Sequence, residues 1–242
     1  MQTNMFGTNY NEVKMFNIEF WQEWWNFFQK IIAPSTFVTL KIVFFTILIG
    51  GCLGFILSIM LILFSPRGLN PKKHLYKILD FIVNTIRAFP ILILIVALSP
   101  ITRRIVGTTV GEKAVIFPLA IAATSFMARA FEGTFSSVNP QLIEAARSFG
   151  ASNMQIIIKV IVKESRAGII SVLTMATISY ISSSTIAGAV GGGGIGAIAL
   201  NYGYQSFNDS VLYTSIIILF IMVQITQELG NYLYKKICDK TI

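Results

Sequence analysis

Long uncharged runs dominate the chain. From Ile42 to Ser65 no charged residue appears, and apolar character reaches back past Lys41 to Ile31. Crossing about 30 Å of hydrocarbon takes about 20 helical residues, so a first span is predicted over about 31–65, too long for a removable signal segment. It ends at Ser65-Pro66-Arg67-Gly68, followed by Lys72, Lys73 and Lys77. A second span is predicted over 78–101, interrupted by Arg87 and Pro90. A third covers 114–135, with Arg129 and Glu132 in its last turns. From Ala167 to Asn208 there are 42 uncharged residues: one span (167–190) with a glycine-rich loop, or two spans. A last run covers 210–232.

Composition agrees with the pattern. Hydrophobic residues are 54% of the chain and charged ones 12%, about half the charged share of an ordinary soluble domain. Mean hydropathy is +0.69. A water-soluble globule, a disordered tail and a fibre are excluded, and the fold class is an all-α membrane protein. The net charge of +8 does not mark a nucleic-acid partner, because no basic face is interleaved with exposed aromatics. The basic residues sit in short loops, where they set orientation across a bilayer.

Orientation decides the number of spans. With 136–166 in the cytoplasm and five transmembrane helices, one side holds Arg67, Lys72, Lys73, Lys77, Arg129, Arg147, Lys159, Lys163, Arg166, Lys235, Lys236 and Lys240. The other holds Lys14, Lys30, Arg103, Arg104 and Lys113. That asymmetry obeys the positive-inside rule, whereas a sixth span would place the carboxyl-terminal lysines outside. The expectation is an outer amino terminus, a transmembrane domain over 31–235 and a cytoplasmic tail over 236–242. Residues 1–30, with Trp21, Trp24, Trp25, Phe27 and Phe28 interleaved with Gln22, Glu23 and Lys30, read as a helix lying in the outer interface.

The loop over 136–166 has start and stop signals of its own. Asn139 suits a helix cap and Pro140 the first helical position, where the missing N–H costs nothing. The helix runs from Gln141 to Phe149 and stops at Gly150, a residue fit for a left-handed C-cap. Ser152-Asn153-Met154-Gln155 reads as a capping box opening a second helix, with Lys159, Lys163 and Arg166 on one face. Ala145 and Ala146 form a low flat patch on the first helix. Ten isolated residues are marginal in water, so packing on the chain's own bundle or on a partner must hold it.

These residues resemble a known family. Glu144-Ala145-Ala146, three residues, then Gly150-Ala151 is similar to the "EAA" coupling signature of permease subunits of bacterial ABC importers. Ile86-Arg87-Ala88-Phe89-Pro90 looks like the Arg-small-apolar-Pro element of amino-acid permeases. The segments Val106–Gly111, Gly188–Gly196 and Asn201–Tyr204 are most similar to the methionine-importer permeases. The resemblance implies a type I ABC importer permease fold working as a homodimer. Two cytoplasmic ABC ATPase subunits and an extracytoplasmic substrate-binding protein would be its partners in the bacterial plasma membrane. It also implies that Glu144, Ala145, Ala146 and Gly150 dock the ATPase, and that Ile186 falls at an apolar gate. ATP and magnesium would belong to the ATPase, with no cofactor or metal on this chain. Where the family usually has a proline before span four, this chain has Val162-Lys163-Glu164.

Other residues carry candidate roles of their own. Arg87 lies about 15 Å along a helix from Lys77, and a charge at that depth costs roughly 3 kcal/mol, so it is expected to face the protein interior. Asp80 shares its face but is about 10 Å away. The hydroxyls of span four, from Ser171 to Thr185, either bond back to their own helix or, with Met175 and Tyr180, line a polar path. Gly50 and Gly54 form a GxxxG pair for close helix packing. Gly191, Gly193 and Gly196 match GxGxxG only formally, lacking the strand a dinucleotide fold requires, and suit a tight turn at the outer mouth. Cys52 and Cys238 are too far apart for a disulfide, and His74 is alone in a basic loop. No catalytic constellation appears. Three alternatives to a methionine permease are an ABC permease for another amino acid or polar solute, a stand-alone secondary transporter, and a membrane-bound enzyme. A reporter fused at Lys236 is expected to read cytoplasmic; an external reading contradicts five spans.

Overall fold

The computed structural model describes residues 18–239, and all regular structure among them is helical. Lys14 and Lys240 lie outside the described residues, as does the first part of the 1–30 segment. α1 (Ile18–Phe27) continues through a π turn, Phe28–Ile32, into α2 (Ala33–Phe64). The described part of the aromatic segment is therefore continuous with the first span. Trp24–Phe64 is one apolar helix of 41 residues, about 60 Å long and twice the hydrocarbon thickness. Pro34 ought to interrupt the ladder there, since it has no N–H to give. The wider turn absorbs it: the Ala33 N–H reaches back to the Phe28 carbonyl, and the helix goes on.

The second span differs more. α3 (Lys73–Ala88) and α4 (Ile91–Val106) are separate helices bent by 110° at Phe89–Pro90. Each is about 24 Å long and too short to cross alone. Pro90 forces the residue before it out of the helical region, and Phe89 is extended at φ −77°, ψ 131°. α5 (Glu112–Ser136) leads to α6 (Pro140–Ser148). Next come α7 (Asn153–Ile156), a π turn at Ile157–Ile161 and α8 (Val162–Glu164). α9 (Arg166–Ala187) follows. After a glycine turn, α10 (Gly194–Ile198) and a π segment, Ala199–Tyr204, lead to α11 (Asp209–Cys238). The stretch 167–208 thus holds one span and a folded-back loop.

Contacts between distant segments fix two ends of the bundle. At one end the Gly111 N–H donates to the Gly191 carbonyl (2.8 Å) and Lys41 meets Glu112 at 3.5 Å. At the other, Arg147 donates to the Leu69 carbonyl (3.1 Å) and the Ser165 hydroxyl to the Thr134 carbonyl (3.5 Å). Between these ends the chain passes five times: by α2, by α3 and α4 together, and by α5, α9 and α11.

α2 and α5 form the spine. A methyl group on Gly50 would collide with Ala123, and one on Gly54 would lie 2.9 Å from the Thr124 carbonyl and 3.0 Å from the Ala128 nitrogen. Small residues let the two backbones approach, as the GxxxG spacing predicts. Toward the Gly191 end, Ile42, Val115, Leu119 and Ala187 make one core. Toward α6, Phe131, Phe135, Ile156 and Ile161 make another, with Phe55 edge-on to both phenyl rings at 5.7 and 5.6 Å. Phe44, Phe81 and Phe220 are exposed, as expected of helices that meet lipid. Overpacking the spine with Gly54→Leu is expected to destabilise the protein by about 1–3 kcal/mol, read as a lower melting temperature in detergent. Gly133→Ala, which lies inside α5 and meets nothing within 4 Å, should not lower that temperature and is expected to raise it slightly.

Candidate functional site

The short helix α6 is built as its sequence predicts. The Asn139 side chain accepts from the Gln141 N–H at 3.0 Å, and Pro140 is the first helical residue. Gly150 takes φ +77°, the left-handed conformation in which a Cβ is strained. The Gly150 and Ala151 N–H groups close the end on the Arg147 and Ala146 carbonyls, at 2.9 and 3.1 Å. The capping box is reciprocal: the Ser152 N–H donates to Gln155 Oε1 (2.8 Å) and the Gln155 N–H to Ser152 Oγ (3.3 Å). Without the usual proline, the connection to α9 still breaks. A π turn and Ser165, at φ −86° and ψ 6°, interrupt it.

α6 has two unlike faces. Ile143 and Ala146 rest half-buried on the core of Phe131, Phe135 and Ile156. Leu142, Glu144, Ala145 and Gly150 are exposed, and Phe149 is 90% exposed. Of the four residues expected to dock a partner, Ala146 instead seats the helix on its own bundle, while the other three face outward. Phe149 joins them, and its position just before a left-handed glycine is the signal that marks it. A phenylalanine this exposed beside two capped turns leaves a large apolar surface uncovered in this chain.

The remaining candidates divide along α9. Met175 is 61% exposed and Ile186 43%; they are three helical turns apart and share a face. Tyr180, expected beside them, is 4% exposed and stands edge-on to Phe126 at 6.3 Å. Five residues from Met175, it points to the other side of the helix. Arg87 is exposed on the last turn of α3 and does not face this chain's interior.

Charge inside the bundle gathers elsewhere. Arg129 on α5 bonds Asp80 and Asn84 on α3, the latter at 2.9 Å, and Glu132 on its own helix at 2.6 Å. Tyr76 donates to Glu132 at 3.3 Å. Sequence reasoning compared Asp80 only with Arg87 and missed this cluster. The signal was available: charges inside apolar runs seek one another, and Asp80, Arg129 and Glu132 are three of them.

A five-pass bundle with a capped, outward-facing helix on one end and an exposed face along α9 has the organisation of a membrane transport subunit. Comparison with known proteins specifies the class. Residues 50–227 match the family model described as "Binding-protein-dependent transport system inner membrane component". The chain is 35% identical to the probable D-methionine transport system permease protein of Vibrio cholerae, over 89% of this chain and 96% of that one. It is 39% identical to the methionine import system permease protein of Bacillus subtilis, over 75% and 81%. A solved structure of the MetNI methionine ABC transporter in inward-facing conformations superposes with TM-score 0.84 at 34% identity, covering 86% of this chain and 96% of that one. The chain belongs to this family of inner-membrane components of binding-protein-dependent transport systems. It is a transport subunit of the inner membrane, not an enzyme. Arg129→Met, which strands Asp80 and Glu132, is expected to cost about 2 kcal/mol in detergent unfolding; adding Asp80→Asn should restore part of it, as a double-mutant cycle will show.

Proposed function

We propose that this chain is the permease subunit of an ATP-driven importer of methionine, L- or D-, working as a homodimer. Each α6 docks into a cytoplasmic ATPase, which holds the ATP and magnesium, while an extracytoplasmic binding protein delivers the solute at the Gly191 end. This reading puts the amino terminus outside and the carboxyl terminus in the cytoplasm. The observation that carries it is α6 itself. The helix is capped at both ends, seated through Ile143 and Ala146, and presents Leu142, Glu144, Ala145 and Phe149 outward. Small residues beside an aromatic anchor suit insertion into a partner's cleft. The names of the relatives in Vibrio cholerae and Bacillus subtilis support methionine as the substrate.

The mechanism follows from rigid connections. When the ATPases close on nucleotide they displace α6, and close-packed interiors transmit such a shift instead of absorbing it. Ile143 and Ala146 pack against the core that also holds Phe131 and Phe135 of α5 and Ala176 of α9. A movement at α6 therefore reorients α9, whose far end carries Ile186 at the proposed gate. Arg129, tied to Asp80 and Asn84, makes α3 move with α5. Glu144→Lys and Gly150→Trp are expected to abolish co-purification of the ATPase while membrane insertion is unchanged. Unchanged co-purification contradicts the docking role. Cells lacking the chain should lose labelled-methionine uptake and regain it with the wild-type gene.

A further inference from the structure

We infer that an uncharged cleft of mixed polar and apolar lining between α9 and α11 is a transit subsite for the transported solute, holding a zwitterionic amino acid with an apolar side chain. The inference rests on the importer reading and names the place inside the chain where the solute pauses. The cleft has a volume of about 500 Å³, within the ~300–1,000 Å³ range of small-molecule sites. It lies where α11 crosses α9. Gly230 allows the approach, since a methyl group there would collide with Thr174.

The hydrogen-bonding state of α9 singles this cleft out. Eight serine and threonine side chains lie on that helix, and six donate back to its own carbonyls: Thr174, Thr177, Ser182, Ser183, Ser184 and Thr185. The two that do not, Ser171 and Ser179, both line the cleft. They are about 12 Å apart along the helix, with the apolar walls of Met175 and Ile178 between them. Across the cleft Gln227 donates to Asn231 Oδ1 at 3.1 Å. That bond leaves the amide donors of Asn231 and the carbonyl of Gln227, both on residues that line the cleft, unused by each other.

This lining matches the chemistry of such a solute. Serine hydroxyls and the Asn231 amide donate to an α-carboxylate, the Gln227 carbonyl accepts from an α-ammonium, and Met175 and Ile178 cover an alkyl or thioether side chain. No charged residue lines the cleft. A neutral site holds a zwitterion weakly, and a pathway needs binding weak enough to release its cargo. The cleft also lies in sequence order behind the proposed gate: Ser179 is about 10 Å along α9 from Ile186, on the side toward α6.

The test uses the full complex with ATPase and binding protein in proteoliposomes. With Cys52 and Cys238 replaced by serine, Ser179→Cys is labelled by a small thiol reagent with and without millimolar methionine. The inference predicts slower labelling with methionine present. It also predicts a roughly tenfold loss of methionine uptake for Asn231→Leu, the worth of about one hydrogen bond to a charged group, with the ATPase still bound. Thr226→Val, whose hydroxyl is spent on the Met222 carbonyl, should transport normally. Labelling indifferent to methionine, or normal uptake by Asn231→Leu, overturns the subsite while leaving the importer reading intact. Absence of methionine uptake by the wild-type complex overturns the substrate reading instead.

Discussion

A hydrocarbon layer offers nothing to a backbone N–H or carbonyl, so every departure from helix must be covered by protein. This constraint shapes each irregular point in the chain. The glycine turn after α9 takes positive φ at Gly191, Gly193 and Gly194, and its polar groups are met from two directions. The Gly191 carbonyl accepts from Gly111, and the Ile195 N–H donates to the Thr39 hydroxyl at 2.9 Å. α10 then folds back so closely that a methyl group on Gly188 would lie 2.6 Å from the Ala197 nitrogen. Glycines are required here because the backbone itself is the packing surface. The same rule explains why Pro34 widens a helix without ending it.

Function depends on how the two ends are joined. The end with the glycine turn is rigid by backbone contact, and the end with α6 is rigid by aromatic packing. The span helices between them carry the small residues and the paired charges. α9 is the element with a foot in both: Ala176 in the core beneath α6, Ala187 in the core beside the turn. On the proposed reading, a force applied at α6 is passed through these shared cores to the face that carries Met175, Ser179 and Ile186.

Much of this was legible in the sequence, and the legible parts share a cause. Charge-free runs, Asn139-Pro140, Gly150 and the Ser152–Gln155 box are local signals, and local signals hold when tertiary packing agrees with them. Five passes and the two capped turns appear where those residues place them. What was missed needed the third dimension. Pro90 announced a break but not its 110° bend. The phase of α9 put Tyr180 on the core side, which spacing from Met175 would have shown. Ala146 looked like surface because nothing local says which side of α6 the bundle lies on. The Asp80–Arg129 pairing joins residues 49 positions apart. The π turn that carries α1 into α2 has no sequence signature of its own, so the continuity of the aromatic segment with the first span was not legible.

The central claim is that this bundle is moved by a nucleotide-driven partner acting on α6. Methionine accumulation in proteoliposomes measures it directly, comparing the purified chain alone with the chain joined to its ATPase and binding protein. The account predicts accumulation only in the assembled complex and only with ATP. Accumulation by the chain alone, without nucleotide, would contradict it.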